Sequence, residues 1–296
     1  MSATPVTFHS EGFKLVGDLY RPADLRPGEA RAGIVLCHGY TGVKDLYLPD
    51  NARVLAQAGY VVLAFDYKGW GESEGPRTRL APYSRVADVQ AALTFLGAQG
   101  EVDEKRLGIY GTSYGGATVV WTGAVDRRVR CIVSVVGIGH GERWMRSVRR
   151  PDEWFDLLER SAADRVKRAT EGESELVERS EVLLPDRQSA ELAAAARRNV
   201  PSALDTLPLE YVDETLGFHP EWVVDKIAPR PILFITTDDD RLVPPEESQA
   251  LHDRAGEPKK LVVLEGYGHY EVYVDPAFTE VMDETRAWFE EHLPPR

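Results

Sequence analysis

The sequence predicts an α/β fold in which helices flank a mostly parallel central sheet. Short apolar runs alternate along the chain with segments whose apolar residues recur at helical spacing. These runs are continuous rather than alternating, which is typical of strands buried on both faces. They cover residues 33–37, 60–65, 107–110, 130–136, 231–235 and 260–264. Strands that alternate with helices need crossover connections, and these favour parallel pairing.

The alternation of strands and helices stops between residues 139 and 221. This interval has no strand-like run, and its charge density is higher than that of the flanking segments. Residues 153–168 and 189–199 have helical patterns, whereas residues 169–180 contain too few apolar residues to bury and are expected to form a loop. Because the interval carries its own apolar residues, we expect an insertion rather than a linker. The predicted division is a core from residues 1–138 and 222–296 and a helical insertion at residues 139–221.

Length, composition and charge restrict the classes of function. The 296 residues and the hydrophobic fraction of 43% permit a large core. The net charge of −13 disfavours nucleic acid as a partner, because phosphate binding needs a basic face. No apolar run approaches the ~20 residues that cross a membrane, and the first residues show no signal-peptide pattern. Cys37 and Cys131 lie within apolar runs and are predicted to be buried free thiols, so a cytoplasmic location is expected.

A strand, a turn and a helix around Ser113 indicate a catalytic nucleophile. The sequence Gly111-x-Ser113-x-Gly115 lies between the predicted strand at 107–110 and a helical run that begins near Ala117. A strand that reverses sharply into a helix leaves no room for side chains two residues before and after the apex, and it exposes the apical hydroxyl at the sheet edge. The alternative is a glycine-rich turn with an ordinary surface serine. We predict that Ser113 is the nucleophile.

A serine nucleophile needs a base, and the base needs a carboxylate that orients it. Both should follow strands that end at the same sheet edge as the strand before Ser113. His269 and Asp240 meet this condition, and the order serine, aspartate, histidine is that of nucleophile-elbow hydrolases. Asp240 is preferred because it directly precedes a Pro-containing turn that can fix it. The competing residues are His140 for the base, and Asp238 and Asp239 for the acid.

Two backbone N–H groups are expected to stabilise the negative oxygen that develops during attack on a carbonyl. One is the N–H of Tyr114, directly after the nucleophile. The other is the N–H of Tyr40, where Gly39 allows the backbone to approach. Together with Ser113, His269 and Asp240, these N–H groups predict acyl transfer, in which Ser113 forms an acyl-enzyme that water then hydrolyses.

Five ordered motifs make the chain similar to the α/β-hydrolase superfamily. They are His38-Gly39-Tyr40-Thr41-Gly42, Asp66-x-x-Gly69-x-Gly71-x-Ser73, Gly111-Thr112-Ser113-Tyr114-Gly115, Asp240-Arg241-Leu242-Val243-Pro244 and Gly268-His269. Within the superfamily, the chain resembles cinnamoyl and feruloyl esterases and X-Pro dipeptidyl-peptidase-like acyl hydrolases. The resemblance covers residues 6–138 and 222–296 and implies an α/β-hydrolase fold with the insertion as a helical cap. The chain departs from many relatives at Lys68, where they carry Arg, and neither cysteine stands at an elbow, which disfavours the dienelactone hydrolases.

The cap is expected to decide the substrate. Its aromatic residues could line an apolar pocket, although aromatic residues at helical spacing more often belong to a core. The candidate substrate contacts are Trp144, Trp154, Phe155 and Trp222. A basic cluster could steer a carboxylate-bearing substrate, although a solvated helix face is the more ordinary interpretation. It consists of Arg143, Arg146, Arg149 and Arg150.

Together these features predict a serine esterase, most simply a carboxylesterase, acting on a small-molecule ester without a metal or an organic cofactor. The same groups can also cleave amides, thioesters or carbon–carbon bonds next to a carbonyl. A hydrolase-fold receptor with negligible turnover is the alternative from another class. Self-association into a homodimer through the cap is a further expectation.

Overall fold

The core of the computed structural model, which describes residues 3–296, is an eight-stranded sheet with a separate two-stranded sheet beside it. The strands are β1 (Thr4–Ser10), β2 (Phe13–Tyr20), β3 (Arg31–Cys37), β4 (Val61–Phe65), β5 (Val102–Thr112), β6 (Val129–Val135), β7 (Leu176–Glu178), β8 (Thr206–Pro208), β9 (Ile232–Thr237) and β10 (Lys259–Leu264). The order across the large sheet is β1-β2-β4-β3-β5-β6-β9-β10. The pairs β1–β2 and β2–β4 are antiparallel, and all the other pairs of the large sheet are parallel. The predicted fold class is confirmed.

Helices cover both faces of the large sheet. The α-helices of residues 3–296 are α1 (Leu48–Gln57), α2 (Pro82–Gly97), α3 (Tyr114–Val125), α4 (Gly141–Ser147), α5 (Pro151–Glu171), α6 (Arg179–Val182), α7 (Arg187–Arg197), α8 (Tyr211–Leu216), α9 (Pro245–Arg254) and α10 (Ala277–His292). Successive residues of β3 point to opposite faces, so Val35 packs in one apolar layer with α2 and α3, and Ile34 packs in the other with α1 and α10. Because both faces are buried, the central parts of the inner strands are mainly apolar, as in residues 32–37 of β3 and 61–65 of β4.

The segment between β6 and β9 contains the helices α4 to α8 and the short antiparallel pair of β7 and β8. The sequence contains no strand-like run here, since three-residue strands are too short to show an alternating pattern. Helix α5 extends to Glu171, and β7 occupies part of the stretch expected to be a loop. That expectation was wrong for all but residues 172–175, because α5 includes residues 169–171, β7 residues 176–178 and α6 residues 179–180. Val177 is buried in the apolar layer that contains Leu207 of β8.

The motif that begins at Asp66 fixes the turn after β4. The Asp66 carboxylate accepts hydrogen bonds from the backbone N–H groups of Lys44 at 2.7 Å and Glu72 at 3.0 Å. Burial raises the pKa of Asp66 to about 6. Because Lys44 lies in the loop after β3, this carboxylate joins the ends of two adjacent strands and braces the loop that carries Tyr40.

Both cysteines are free and buried, as predicted. Of the helices within residues 3–296, none has both the length and the apolar character that crossing a membrane requires.

Candidate active site

Ser113 lies at a sharp turn between β5 and α3. Its backbone has φ 56° and ψ −122°, a conformation that is strained for a residue with a side chain. A Cβ atom at Gly115 would lie 2.1 Å from the carbonyl oxygen of Cys37, and one at Gly111 would lie 2.3 Å from that of Gly115. The two glycines are therefore required by close backbone approach, and the turn they permit brings Ser113 to the carboxyl edge of the sheet.

We expect the replacement Gly115→Ala to destabilise the protein by about 3 kcal/mol or more, because the neighbouring atoms are backbone and cannot rotate away. Thermal unfolding is the measurement, and a Tm lower by roughly 5–10 °C is expected for a chain of this size. Gly100→Ala is the matched control, since a Cβ atom there meets nothing within 4 Å. Equal Tm values for the two variants would show that the elbow tolerates a side chain.

The structure brings together the three side chains predicted to act in catalysis. His269 follows β10, and its Nε2 lies 3.1 Å from the hydroxyl oxygen of Ser113. Its Nδ1 lies 2.6 Å from Oδ2 of Asp240, which follows β9. The other oxygen of Asp240 accepts the backbone N–H groups of Leu242 and Val243 at 2.9 and 2.7 Å. All three catalytic candidates are buried, which shields their interactions from water.

The competing residues lie elsewhere. His140 precedes α4, where its Nδ1 accepts the backbone N–H of Arg143 at 3.2 Å and its ring stacks on that of His219 at 3.7 Å. Asp238 and Asp239 are exposed, and neither makes a hydrogen bond to a histidine. The turn explains the difference, because the backbone N–H groups that follow Asp240 hold that carboxylate inward.

The two residues expected to supply the oxyanion donors, Tyr40 and Tyr114, belong to the loop after β3 and to the start of α3. Tyr114 is the first residue of α3, so its N–H has no acceptor within the helix. Tyr40 lies in the loop after β3, and its ring packs at 4.4 Å from that of Tyr211. A Cβ atom on Gly39 would lie 3.1 Å from Cβ of Ser113, so the absence of a side chain there allows the loop to approach the nucleophile.

A small cavity of about 30 Å³ adjoins Ser113 and His269. Such a volume holds about one or two water molecules. Besides Ser113 and His269, the larger side chains of its wall are His38, Tyr40, Leu46, Tyr47, Leu48, Trp144, Leu183, Arg197, Leu242, Tyr270 and Tyr273. The wall is therefore mainly aromatic and aliphatic, with one cationic side chain.

Among the candidate substrate contacts, the structure places only Trp144 in the cavity wall. Trp154 is buried in an apolar layer, Phe155 is 62% exposed, and Trp222 packs on His219 at 4.2 Å. The prediction was wrong for these three residues because helical spacing alone does not say which face of a helix meets a cavity. Sequence reasoning missed the stacked pair Tyr47 and Tyr273, whose ring centroids are 4.0 Å apart. Their position in the sequence could have indicated them, because Tyr47 follows the motif at residues 38–42 and Tyr273 follows His269.

Two arginines of the predicted basic cluster, Arg143 and Arg149, make structural contacts, whereas Arg146 and Arg150 are exposed. Arg143 pairs with Glu247 at 2.7 Å and Glu221 at 2.8 Å. Arg149 donates to the backbone carbonyls of Met145 and Val182, and burial lowers its pKa to about 10. None of the four arginines lines the cavity beside Ser113. In residues 3–296, no group of three or more His, Cys, Asp or Glu side chains is arranged to hold a metal ion.

Comparison with known proteins shows the family to which the chain belongs. The family model described as serine aminopeptidase, S33, matches residues 28–276. The chain belongs to this family of α/β hydrolases. An uncharacterized 31.7 kDa protein from the traX–finO intergenic region of Escherichia coli is 31% identical over 261 residues, which are 88% of this chain and 91% of that protein.

Two further relatives are informative. The thiohydrolase aneE of Aspergillus aculeatus is 29% identical over 293 residues, covering 92% of this hydrolase and 88% of the relative. The crystal structure of the α/β hydrolase GrgF from Penicillium superposes with a TM-score of 0.82 at 22% identity, covering 99% of each chain. The family and the fold make the protein an enzyme of the hydrolase class.

Proposed function

We propose that this hydrolase cleaves carboxylic esters through an acyl-enzyme formed on Ser113, as a carboxylesterase does. The observation that supports this most directly is the hydrogen-bonded chain from the Ser113 hydroxyl through His269 to Asp240. In such a chain the imidazole takes up the serine proton, and the carboxylate holds the ring in the tautomer that can accept it.

The reaction has two steps. In the first, Ser113 Oγ attacks the ester carbonyl carbon while His269 Nε2 takes its proton, and the alcohol departs with that proton when the carbon–oxygen bond breaks. In the second, His269 removes a proton from water, which attacks the acyl-enzyme and releases the carboxylic acid and the serine. The backbone N–H groups of Tyr40 and Tyr114 donate to the oxyanion in both steps.

The segment 139–221 supplies part of the wall beside the nucleophile, through Trp144, Leu183, Ala193 and Arg197. We propose that it is a cap whose side chains select the acyl group. Because the wall is largely aromatic and aliphatic, the favoured acyl group is apolar. A panel of p-nitrophenyl esters of increasing chain length measures this preference.

Covalent labelling tests the proposed function. A fluorophosphonate is expected to add one phosphonyl group to Ser113, located by peptide mass spectrometry, and to end hydrolysis of p-nitrophenyl acetate in proportion to the labelled fraction. Ser134→Ala serves as the control, because Ser134 is a buried serine of the neighbouring strand that lies outside the cavity. Labelling and turnover in Ser134→Ala should match those of the parent protein. Labelling at another residue, or ester turnover that survives complete labelling, would contradict the proposal.

A thioester is the second candidate substrate. The observation that favours it is the likeness to the Aspergillus thiohydrolase. The same three side chains can expel a thiolate, which leaves more readily than an alkoxide. Paired oxoester and thioester substrates with the same acyl group distinguish the two, and a kcat/KM for the thioester that exceeds the oxoester value after correction for their rates in buffer would favour the second candidate.

A further inference from the structure

The carbonyl oxygen of Gly39 is surrounded by donors. It accepts a hydrogen bond from Nδ1 of His38 at 3.0 Å, one from the backbone N–H of Gly42 at 3.3 Å and one from Nη1 of Arg85 at 3.3 Å. Most backbone carbonyls have one or two partners, which correspond to their two lone pairs. Three donors on one oxygen fix the orientation of the peptide to which it belongs.

That peptide carries the N–H of Tyr40. In a trans peptide the carbonyl oxygen and the N–H point in opposite directions across one plane. Because the Gly39 oxygen is held toward Arg85, the Tyr40 N–H points the other way, and within residues 3–296 it has no hydrogen-bond acceptor. A reversal of this plane would direct the carbonyl oxygen at the nucleophile and leave the oxyanion without its second donor.

Arg85 is an unusual side chain for such a position. It lies in the first turns of α2, is 2% exposed, and its guanidinium stacks over the ring of Tyr67 at 4.3 Å from the centroid. Two of its nitrogens, Nε and Nη2, have no hydrogen-bond partner among the protein atoms of residues 3–296. No carboxylate of residues 3–296 forms an ion pair with it, and the nearby Asp88 instead pairs with Lys68 at 3.5 Å. A buried cation without a paired anion is costly, and here the rings of Tyr67, Trp70 and Tyr114 around the guanidinium offset part of that cost.

The imidazole of His38, which is the other side-chain donor to the Gly39 oxygen, is uncharged. Burial first, and the charge of Arg85 second, hold the pKa of His38 well below its usual range, so His38 is neutral. Its Nδ1 must carry the proton, because the Gly39 oxygen can only accept. Arg85 is therefore the one charged donor on the Gly39 carbonyl, and charged donors make the stronger hydrogen bonds.

We propose that Arg85 is a positioning residue for the oxyanion hole: it holds the Gly39–Tyr40 peptide with its N–H toward the cavity and polarises that N–H through the carbonyl. Hydrogen bonds in series strengthen one another in a dry interior. The positive charge, having no paired carboxylate, favours the state in which a negative oxygen forms next to Ser113. This inference rests on the proposed function.

Three variants test the proposal. Arg85→Met keeps length and apolar packing but removes both charge and donor, Arg85→Gln removes the charge, and Arg85→Lys keeps it. With a p-nitrophenyl ester we expect kcat to fall roughly 10- to 100-fold in Arg85→Met, less than for a donor removed outright, with KM changed less than twofold. Inhibition by an alkyl trifluoromethyl ketone, which forms a tetrahedral oxyanion on serine, should weaken by the same factor as kcat. Arg85→Lys should retain more activity than Arg85→Gln.

Arg31→Met is the matched control. Arg31 is the other fully buried arginine, 1% exposed, but it lies at the opposite end of β3 and pairs with Glu29 at 2.7 Å. It should lower the Tm and leave kcat and ketone binding unchanged. The proposal is overturned if Arg85→Met keeps parental kcat, or if its loss appears in KM with ketone binding intact. If Arg85→Met does not fold, the other two variants test the proposal: a kcat for Arg85→Lys that does not exceed that of Arg85→Gln would overturn it. Fluorophosphonate labelling of Ser113 separates this result from failure of the proposed function, because loss of labelling in the parent protein would overturn both.

Discussion

Replacement of His269 by alanine is expected to lower kcat for ester hydrolysis by about 10⁴–10⁶-fold, close to the loss for Ser113→Ala. The reason is that the serine hydroxyl is a poor nucleophile until a base takes its proton, and Nε2 of His269 lies 3.1 Å from it. Folding should be little affected, since the removed ring leaves a site that adjoins the cavity. Steady-state kinetics with p-nitrophenyl esters and a thermal melt are the measurements.

The double variant Ser113→Ala with His269→Ala sharpens this test. Groups that act as one unit lose their function together, so the double variant should be about as active as either single one. His140→Ala is the control for histidine replacement, because His140 caps α4 away from the cavity. It should keep the parental kcat. Multiplicative losses in the double variant, or a large loss in His140→Ala, would contradict the assignment of the base.

The core could be predicted from the sequence because the patterns that indicate its strands and its elbow each lie within a short segment. A buried parallel strand such as β3 is continuously apolar, and an elbow needs glycine at fixed distances from the serine. The carboxyl ends of parallel strands meet at one edge, so loops after β9 and β10 had to approach Ser113. The meeting of Asp240 with His269 followed from topology, without any contact being known in advance.

The residues of the cavity wall, the β7–β8 pair and the burial of Arg85 could not be predicted from short segments of sequence. Whether Trp154 or Phe155 meets the cavity depends on the rotation of α5 against the core, which sequence spacing leaves open. The pair β7 and β8 is stabilised by contacts between segments about 30 residues apart, and neither strand has a pattern of its own. Arg85 appears in the sequence as a polar residue at the start of a helix, and only the fold shows that it is buried beside the Gly39 carbonyl.

Asp240→Asn is expected to lower kcat by about 10⁴-fold while leaving the fold intact, through a change of tautomer. Oδ1 of Asp240 accepts two backbone N–H groups, so the amide oxygen of an asparagine must take that position. The amide NH₂ then faces Nδ1 of His269, where it donates and compels Nδ1 to accept. The ring proton moves to Nε2, which now presents a donor to the Ser113 hydroxyl and cannot take its proton.

The matched control is Asp239→Asn, one residue earlier in the same loop and exposed. The two substitutions make the same change of charge, so a general electrostatic effect would lower kcat equally in both. Only the Asp240 variant should lose activity, and its KM should stay near the parental value because the cavity wall is unchanged. The measurement is kcat and KM for Asp240→Asn and Asp239→Asn with the same p-nitrophenyl ester. Equal kcat values would mean that Asp240 does not set the tautomer of His269, and the chain from carboxylate to serine would then lack its orienting member.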